Sequence, residues 1–205
     1  MAPAASLGTL FLAAQFVDLL WPTLLLLGLE HVAIVQGITR VTPLDFYDYP
    51  ISHSLLAVVG WAVLFAAIYL MLRKYRRGAI VCGAAVVSHW LLDLIVHRPD
   101  LPIHPGGHQL VGLGLWSSLW ATLAVELLIF GGGLWLYVRS THARDRIGSV
   151  SLWTLVGFLL LVYVGNVLGS PPTDVAAIAW VGQAQWLLIA WGFWIDRHRT
   201  AAPGS

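Results

Sequence analysis

The sequence predicts an all-α fold, a polytopic transmembrane bundle of six helices with both termini in the cytoplasm. Three observations carry this expectation. Hydrophobic residues make up 59% of the 205-residue chain and charged residues only 10%, against about a quarter charged in ordinary soluble domains. Apolar runs of about 20 residues, the length that crosses hydrocarbon as a helix, recur along the whole chain. The basic residues alternate from connection to connection, as they do in inner-membrane proteins.

Each span has its own boundaries. The first, about 6–29, lacks a basic leader and is too long for a signal peptide, so it reads as a retained span. The second, about 51–72, begins after Pro50 and ends at the basic segment Arg73, Lys74, Arg76 and Arg77. The third runs over about 78–97, the fourth over 116–139, the fifth over 149–169 and the sixth over 174–196. Lipid offers no partner to backbone polar groups, so all six are helical. Together they form a single membrane-embedded domain over 1–205. Gly131, Gly132 and Gly133 read as a site of close helix packing or a kink. The single Cys82 excludes an intrachain disulfide. No internal repeat is evident, which counts against an inverted-repeat transporter.

Orientation follows from Arg and Lys. Arg73, Lys74, Arg76, Arg77, Arg139, Arg144, Arg146, Arg197 and Arg199 lie on one side, and only Arg40 and Arg98 on the other. The positive-inside rule puts the first set in the cytoplasm. The basic residues are therefore topological, and nothing in them points to a nucleic-acid partner. The 30–50, 98–115 and 170–173 connections then face outward.

Ionisable residues inside spans cost about 2.5–3.5 kcal/mol each on insertion scales, so each is a functional candidate. His89, Asp93 and His97 follow one another at i, i+4 and i+8 on one face of the third helix. His53 stands in the first turn of the second helix, and Glu30 and His31 close the first. Asp45 and Asp48 lie in the intervening loop. These residues meet at one outer-leaflet cup. Neutral imidazoles with carboxylates are the ligand set of zinc or a similar divalent ion. A structural clasp between Asp93 and His53 or His89 explains the same residues without an ion. A deeper set, Asp18, Glu126 and Gln183, falls at about the depth of His89. It reads as a shell orienting His89, a cavity floor, part of an ion path, or interhelical glue.

Two segments, "SHSLL" at 52–56 and "SHWLLDLIVHRPDLP" at 88–102, resemble the bacterial inner-membrane family of membrane-bound metal-dependent hydrolases, itself distantly similar to zinc-dependent phospholipase C. The resemblance covers about residues 28–106. It implies His53, His89 and Asp93 as metal ligands, with "EHV" and "LDFYD" pointing to His31 and to Asp48 or Asp45. The chain departs from the family pattern in carrying Tyr49-Pro50-Ile51 before His53 and in lacking a Leu-Pro-Asp-x-Asp motif.

The expected function is a metal-dependent hydrolase in a bacterial inner membrane, its site open to the extracytoplasmic side. The expected metal ligands are His31, Asp48, His53, His89 and Asp93, and the expected cofactor is a divalent ion, zinc by donor type. Glu30 and Asp45 are the candidate general bases, and Asp18, His97, Arg98, Glu126 and Gln183 surround the cavity. The bilayer is the constant partner, and headgroup depth favours a lipid-like or phosphoester substrate, with Arg98 available to a phosphate. The alternatives are a small transporter or ion-conducting protein using the same cluster, and a non-catalytic metal-binding subunit. The inner halves of the second and third helices, "WAVLFAAIYLML" and "GAIVCGAAV", carry no relay, which favours a closed cup over a conduit.

Overall fold

The computed structural model describes residues 5–202 and is mostly helical. Helices α1 (Leu7–Ala14) and α2 (Phe16–Leu26) form the first span. A hairpin of β1 (His31–Ile34) and β2 (Leu44–Asp48) leads to the short α3 (Pro50–His53), then to α4 (Leu55–Arg73) and α5 (Arg76–Val96). A second hairpin, β3 (Leu101–Pro102) and β4 (Leu110–Val111), precedes a 3-10 turn at Leu115–Ser117 and α6 (Leu119–Ser140). Strand β5 (Thr141–Ala143) leads into α7 (Arg146–Leu168), followed by α8 (Val175–Gln183), α9 (Gln185–His198) and β6 (Arg199–Ala201).

Among the described residues, five helical segments are long and apolar enough to cross a membrane, with α8 and α9 counted together as Val175–His198, or six if the bent pair α1–α2 is one span. The expectation of a continuous helix over 6–29 is corrected: α1 and α2 meet at 52°. Pro22 sits inside α2 and lacks the N–H that the Asp18 carbonyl would receive in a regular helix. Gln185 Nε2 donates to that carbonyl at 3.3 Å instead. At the break itself, the Ala14 carbonyl accepts from His89 Nδ1 at 2.8 Å. Both freed carbonyls thus have partners, as a membrane interior requires.

Local chemistry sets the other boundaries. Ser54 caps α4 by accepting from the Ala57 N–H, and its hydroxyl donates to the Pro50 carbonyl at 2.6 Å. The αL conformation of Lys74 ends α4 and turns the chain into α5. Asp145 caps α7 through the Gly148 N–H at 2.8 Å, and Asp174 caps α8 through the Ala177 N–H at 2.7 Å.

α4 and α5 pack as a helical hairpin, with α1 against α5 and α9, α2 against α8, and α7 against α9. Gly8 and Gly192 bring α1 and α9 together, since a Cβ on Gly192 would lie 3.0 Å from the Gly8 Cα. The main core holds Ala13, Val17, Val58, Cys82, Val86 and Trp90, and its upper end carries the site. The segments expected as loops pair into sheet. His31 pairs with Asp48 in the first hairpin, and Thr141 pairs with Ala201 to join β5 to the C-terminal strand. Open space surrounds Gly131, Gly132 and Gly133, so within one chain they serve no close packing.

Candidate metal centre

Four side chains from three segments converge beneath the first hairpin. His53 Nε2 lies 3.3 Å from Asp18 Oδ1 and 3.8 Å from Asp93 Oδ2. His89 Nε2 lies 3.5 Å from Asp18 Oδ2 and 3.4 Å from Asp93 Oδ2. The two imidazole rings meet edge to face, 5.8 Å between centroids. The donor atoms of Asp18, His53 and His89 all lie within 4.8 Å of one another, as a metal-binding group requires. His53 is buried and His89 and Asp93 nearly so, while the Asp18 side chain is 34% exposed.

The other ring nitrogens decide what the convergent ones do. A backbone carbonyl only accepts, so His89 Nδ1 carries its proton towards Ala14. Glu30 accepts the Ser52 hydroxyl proton at 2.6 Å, so Ser52 Oγ in turn accepts from His53 Nδ1, also at 2.6 Å. Both histidines therefore present Nε2 to the carboxylates. This is the arrangement by which outer partners fix a ligand histidine's tautomer and raise its basicity.

The spacing tests the fit of an ion. Charge-assisted N–H···O bonds run at about 2.7–2.9 Å, and all four Nε2–carboxylate separations are longer than that. Tetrahedral coordination at about 2.0–2.2 Å sets neighbouring donors roughly 3.3–3.6 Å apart, close to what is observed. Asp93 Oδ2 is buried without a hydrogen-bond partner. Two carboxylates facing two lone pairs leave uncompensated negative charge that a cation neutralises in place. The residues fit a divalent ion, and their donor set does not by itself single out one metal.

The remaining expected residues lie elsewhere. His31 Nδ1 bonds Asp48 Oδ2 at 2.8 Å on the exposed face of the hairpin, so these two pair with each other rather than joining the cluster. Glu30 is 1% exposed, and its carboxylate accepts from the N–H groups of Ile51 and Ser52 at 2.7 and 2.8 Å as well as from the Ser52 hydroxyl. It holds the start of α3 and, through Ser52, the His53 ring, which leaves it poorly placed to act as a general base. Asp45 is paired with Arg98, whose Nε also donates to Asp100 Oδ2 at 2.9 Å. Arg98 is thus a brace between the hairpin and the end of α5, committed to two carboxylates.

His97, expected at the rim, is buried instead. Its Nδ1 bonds Asp100 Oδ1 at 2.9 Å, and its ring packs between Phe46 and Trp116. Tyr49 stacks beside it and reaches towards His53, 5.1 Å between ring centroids. Burial and the Asp100 carboxylate push the Tyr49 phenol far above its ordinary value, so it stays a neutral donor. Of the deeper set, Asp18 alone joins the cluster. Glu126 accepts from Trp116 Nε1 at 3.2 Å, and Gln183 donates to Thr23 Oγ1 at 2.9 Å. Gln185, which belongs to the same deeper polar set, donates to the Asp18 carbonyl, whereas Ser52 and the Ala14 carbonyl were not expected to orient the histidines. Pro22 in an otherwise apolar run was the available signal for the Gln185 contact.

The fold and the site define a multi-pass membrane protein with a His/Asp cluster of metal-binding geometry. Comparison with protein-family models, curated proteins and solved structures finds no match.

Proposed function

We propose that this chain is a membrane-embedded metal-dependent hydrolase acting on a lipid-like ester or phosphoester. The observation that carries the reading is the convergence of two Nε2 atoms and two carboxylates at donor–donor spacing, with both Nδ1 protons already committed. His53, His89 and Asp93 are the more enclosed ligands, and zinc suits their donor types. Asp18, the more accessible of the two carboxylates, is the one that handles a proton. A bound divalent ion supplies Lewis acidity and an activated water at neutral pH. The two short segments at 52–56 and 88–102 support the same reading through their resemblance to the membrane-bound hydrolases.

On this reading the chain lies in a bacterial inner membrane, with the basic end and both termini in the cytoplasm and the site facing out. Arg98 is held by Asp45 and Asp100, so a phosphate-holding role for it has no geometric support. The test is therefore a panel of amphiphilic carboxylic esters alongside phosphoesters, assayed with metal-loaded protein. Turnover of one class that disappears in Asp18→Asn supports the reading. No turnover of any class, with metal bound, shifts the reading to a non-catalytic metal-binding subunit.

The broken first span favours a second reading, ion conduction, because discontinuous helices with freed carbonyls coordinate ions in transporters. The apolar inner halves of α4 and α5 oppose it. Ion flux through proteoliposomes that is abolished by His89→Ala would establish it.

A further inference from the structure

At the end of the bundle away from the metal centre, α1, α4 and α9 enclose a groove of about 500 Å³. Leu12, Phe16, Phe65, Ile68, Leu72 and Phe193 give it apolar walls. It runs from Phe65 to Arg73 along α4, about 12 Å at the helical rise, and beside Ser6 to Phe16, along α1 and the start of α2. That is close to one leaflet's share of the ~30 Å hydrocarbon thickness. Its polar members, Ser6, Thr9, Tyr69 and Arg73, are contributed largely at one end.

That end reaches Arg73, and Lys74, Arg76 and Arg77 follow it in the α4–α5 turn and the first turn of α5. Arg73, Lys74, Arg76 and Arg77 are all exposed. Among the described residues none of them forms an ion pair with a carboxylate. Their placement is locally unfavourable. Lys74 adopts φ 51°, the left-handed conformation that helix ends usually give to glycine. Arg76 and Arg77 occupy the first turn of α5, where the helix dipole favours negative charge, and no side chain caps that end. Positive-inside bias accounts for basic residues at this end of the molecule, but not for their crowding onto a strained turn and a helix N-terminus at the mouth of an acyl-sized groove.

We infer that this groove is a binding site for one anionic phospholipid, its acyl chain lying between α1, α4 and α9 and its phosphate seated on the α4–α5 turn. Apolar walls accept the chain, and the four cations supply the charge that distinguishes an anionic headgroup from a zwitterionic one. A bound headgroup phosphate also supplies the cap that no side chain provides at the start of α5. The inference is independent of the metal centre.

The test uses the full chain, delipidated in detergent and titrated with dioleoyl phosphatidylglycerol or dioleoyl phosphatidylcholine under native mass spectrometry. The expected result is one phosphatidylglycerol adduct formed at least about tenfold more tightly than the phosphatidylcholine adduct. Combined Arg73→Gln, Lys74→Gln, Arg76→Gln and Arg77→Gln should bring the two lipids within about twofold, and Ile68→Trp, which fills the groove, should weaken both. Equal binding of the two lipids by the wild type, or a preference that survives the charge removal, overturns the inference. A wild-type measurement stands if the variants misfold. Phosphatidylglycerol with a photoreactive group in its acyl chain should label peptides covering 6–16 and 65–73, and labelling concentrated elsewhere overturns the inference equally.

Discussion

The Nδ1 of His89 donates to the carbonyl of Ala14 at 2.8 Å, at the point where the first span breaks. The break and the histidine's orientation are one feature. A continuous helix would spend that carbonyl on its own ladder, and His89 would lose the partner that aims Nε2 at Asp18 and Asp93. Pro22 acts in the same direction by leaving the Asp18 carbonyl to Gln185.

Pro22→Ala restores a backbone N–H to the Asp18 carbonyl and removes the reason for the Gln185 contact. Metal affinity is expected to fall by about tenfold, the lower end of what loss of an orienting partner costs. A competition titration against a chromophoric chelator measures it, and an unchanged affinity would show that Pro22 does not position Asp18.

Ser52 connects the buried Glu30 to the His53 ring, so Ser52→Ala should weaken metal binding by about 10–100-fold while Ser52→Thr keeps it near the wild-type value. Glu30→Ala removes three hydrogen bonds to a carboxylate. Charge-assisted bonds contribute about 1.5–3 kcal/mol each before relaxation, so a loss of about 2–4 kcal/mol is expected in thermal unfolding in detergent. A Glu30→Ala protein as stable as wild type would mean that water replaces the carboxylate at the start of α3.

The two carboxylates of the cluster should separate by function. Asp93 is buried with an unpartnered oxygen, and Asp18 stands at the exposed side. Asp93→Asn is expected to cost most of the bound metal. Asp18→Asn is expected to keep metal within about tenfold and to lower turnover by about 10²–10⁴, the range for a general acid–base group. The reverse pattern would exchange the two assignments.

Much of this site was legible in the sequence, for identifiable reasons. His89 and Asp93 stand at i, i+4 in apolar sequence, and His53 at a helix start beside two serines, so charge and periodicity alone marked them. Asp18 was placed by depth in a secondary set, because depth counted along a straight 6–29 helix cannot show a 52° bend. Glu30 reads as a candidate general base in the sequence because its partners, Ile51 and Ser52, are 21 and 22 residues away, a contact fixed only by the hairpin between them. His97 read as a rim residue for a similar reason. Asp100 and Trp116 bury it only after the 98–115 segment folds back over the end of α5. Glu126 shared a depth with His89 but belongs to α6, whose one fully buried residue is Thr122. Common depth on different helices does not imply a common meeting point.

At the opposite end, Asp145 caps α7 and accepts from His198 Nδ1 at 2.7 Å. The His198 bond, with the Gly148 N–H, holds the Asp145 carboxyl below the usual carboxylate range. A group whose folded pKa is depressed stabilises the fold above its unfolded pKa, and that contribution is lost as pH falls through the folded value. Hydrogen exchange at the first turn of α7 should therefore stay slow to a lower pH in the wild type than in His198→Gln. Identical acid profiles for the two proteins would contradict the coupling.

Metal content is the most direct measurement of the central claim. The protein, purified without chelator, is expected to carry about one divalent ion per chain by elemental mass spectrometry, and His53→Ala and His89→Ala to carry almost none while remaining folded. A folded wild-type protein that holds no stoichiometric metal, even after incubation with zinc, would contradict the assignment of Asp18, His53, His89 and Asp93 as a metal centre.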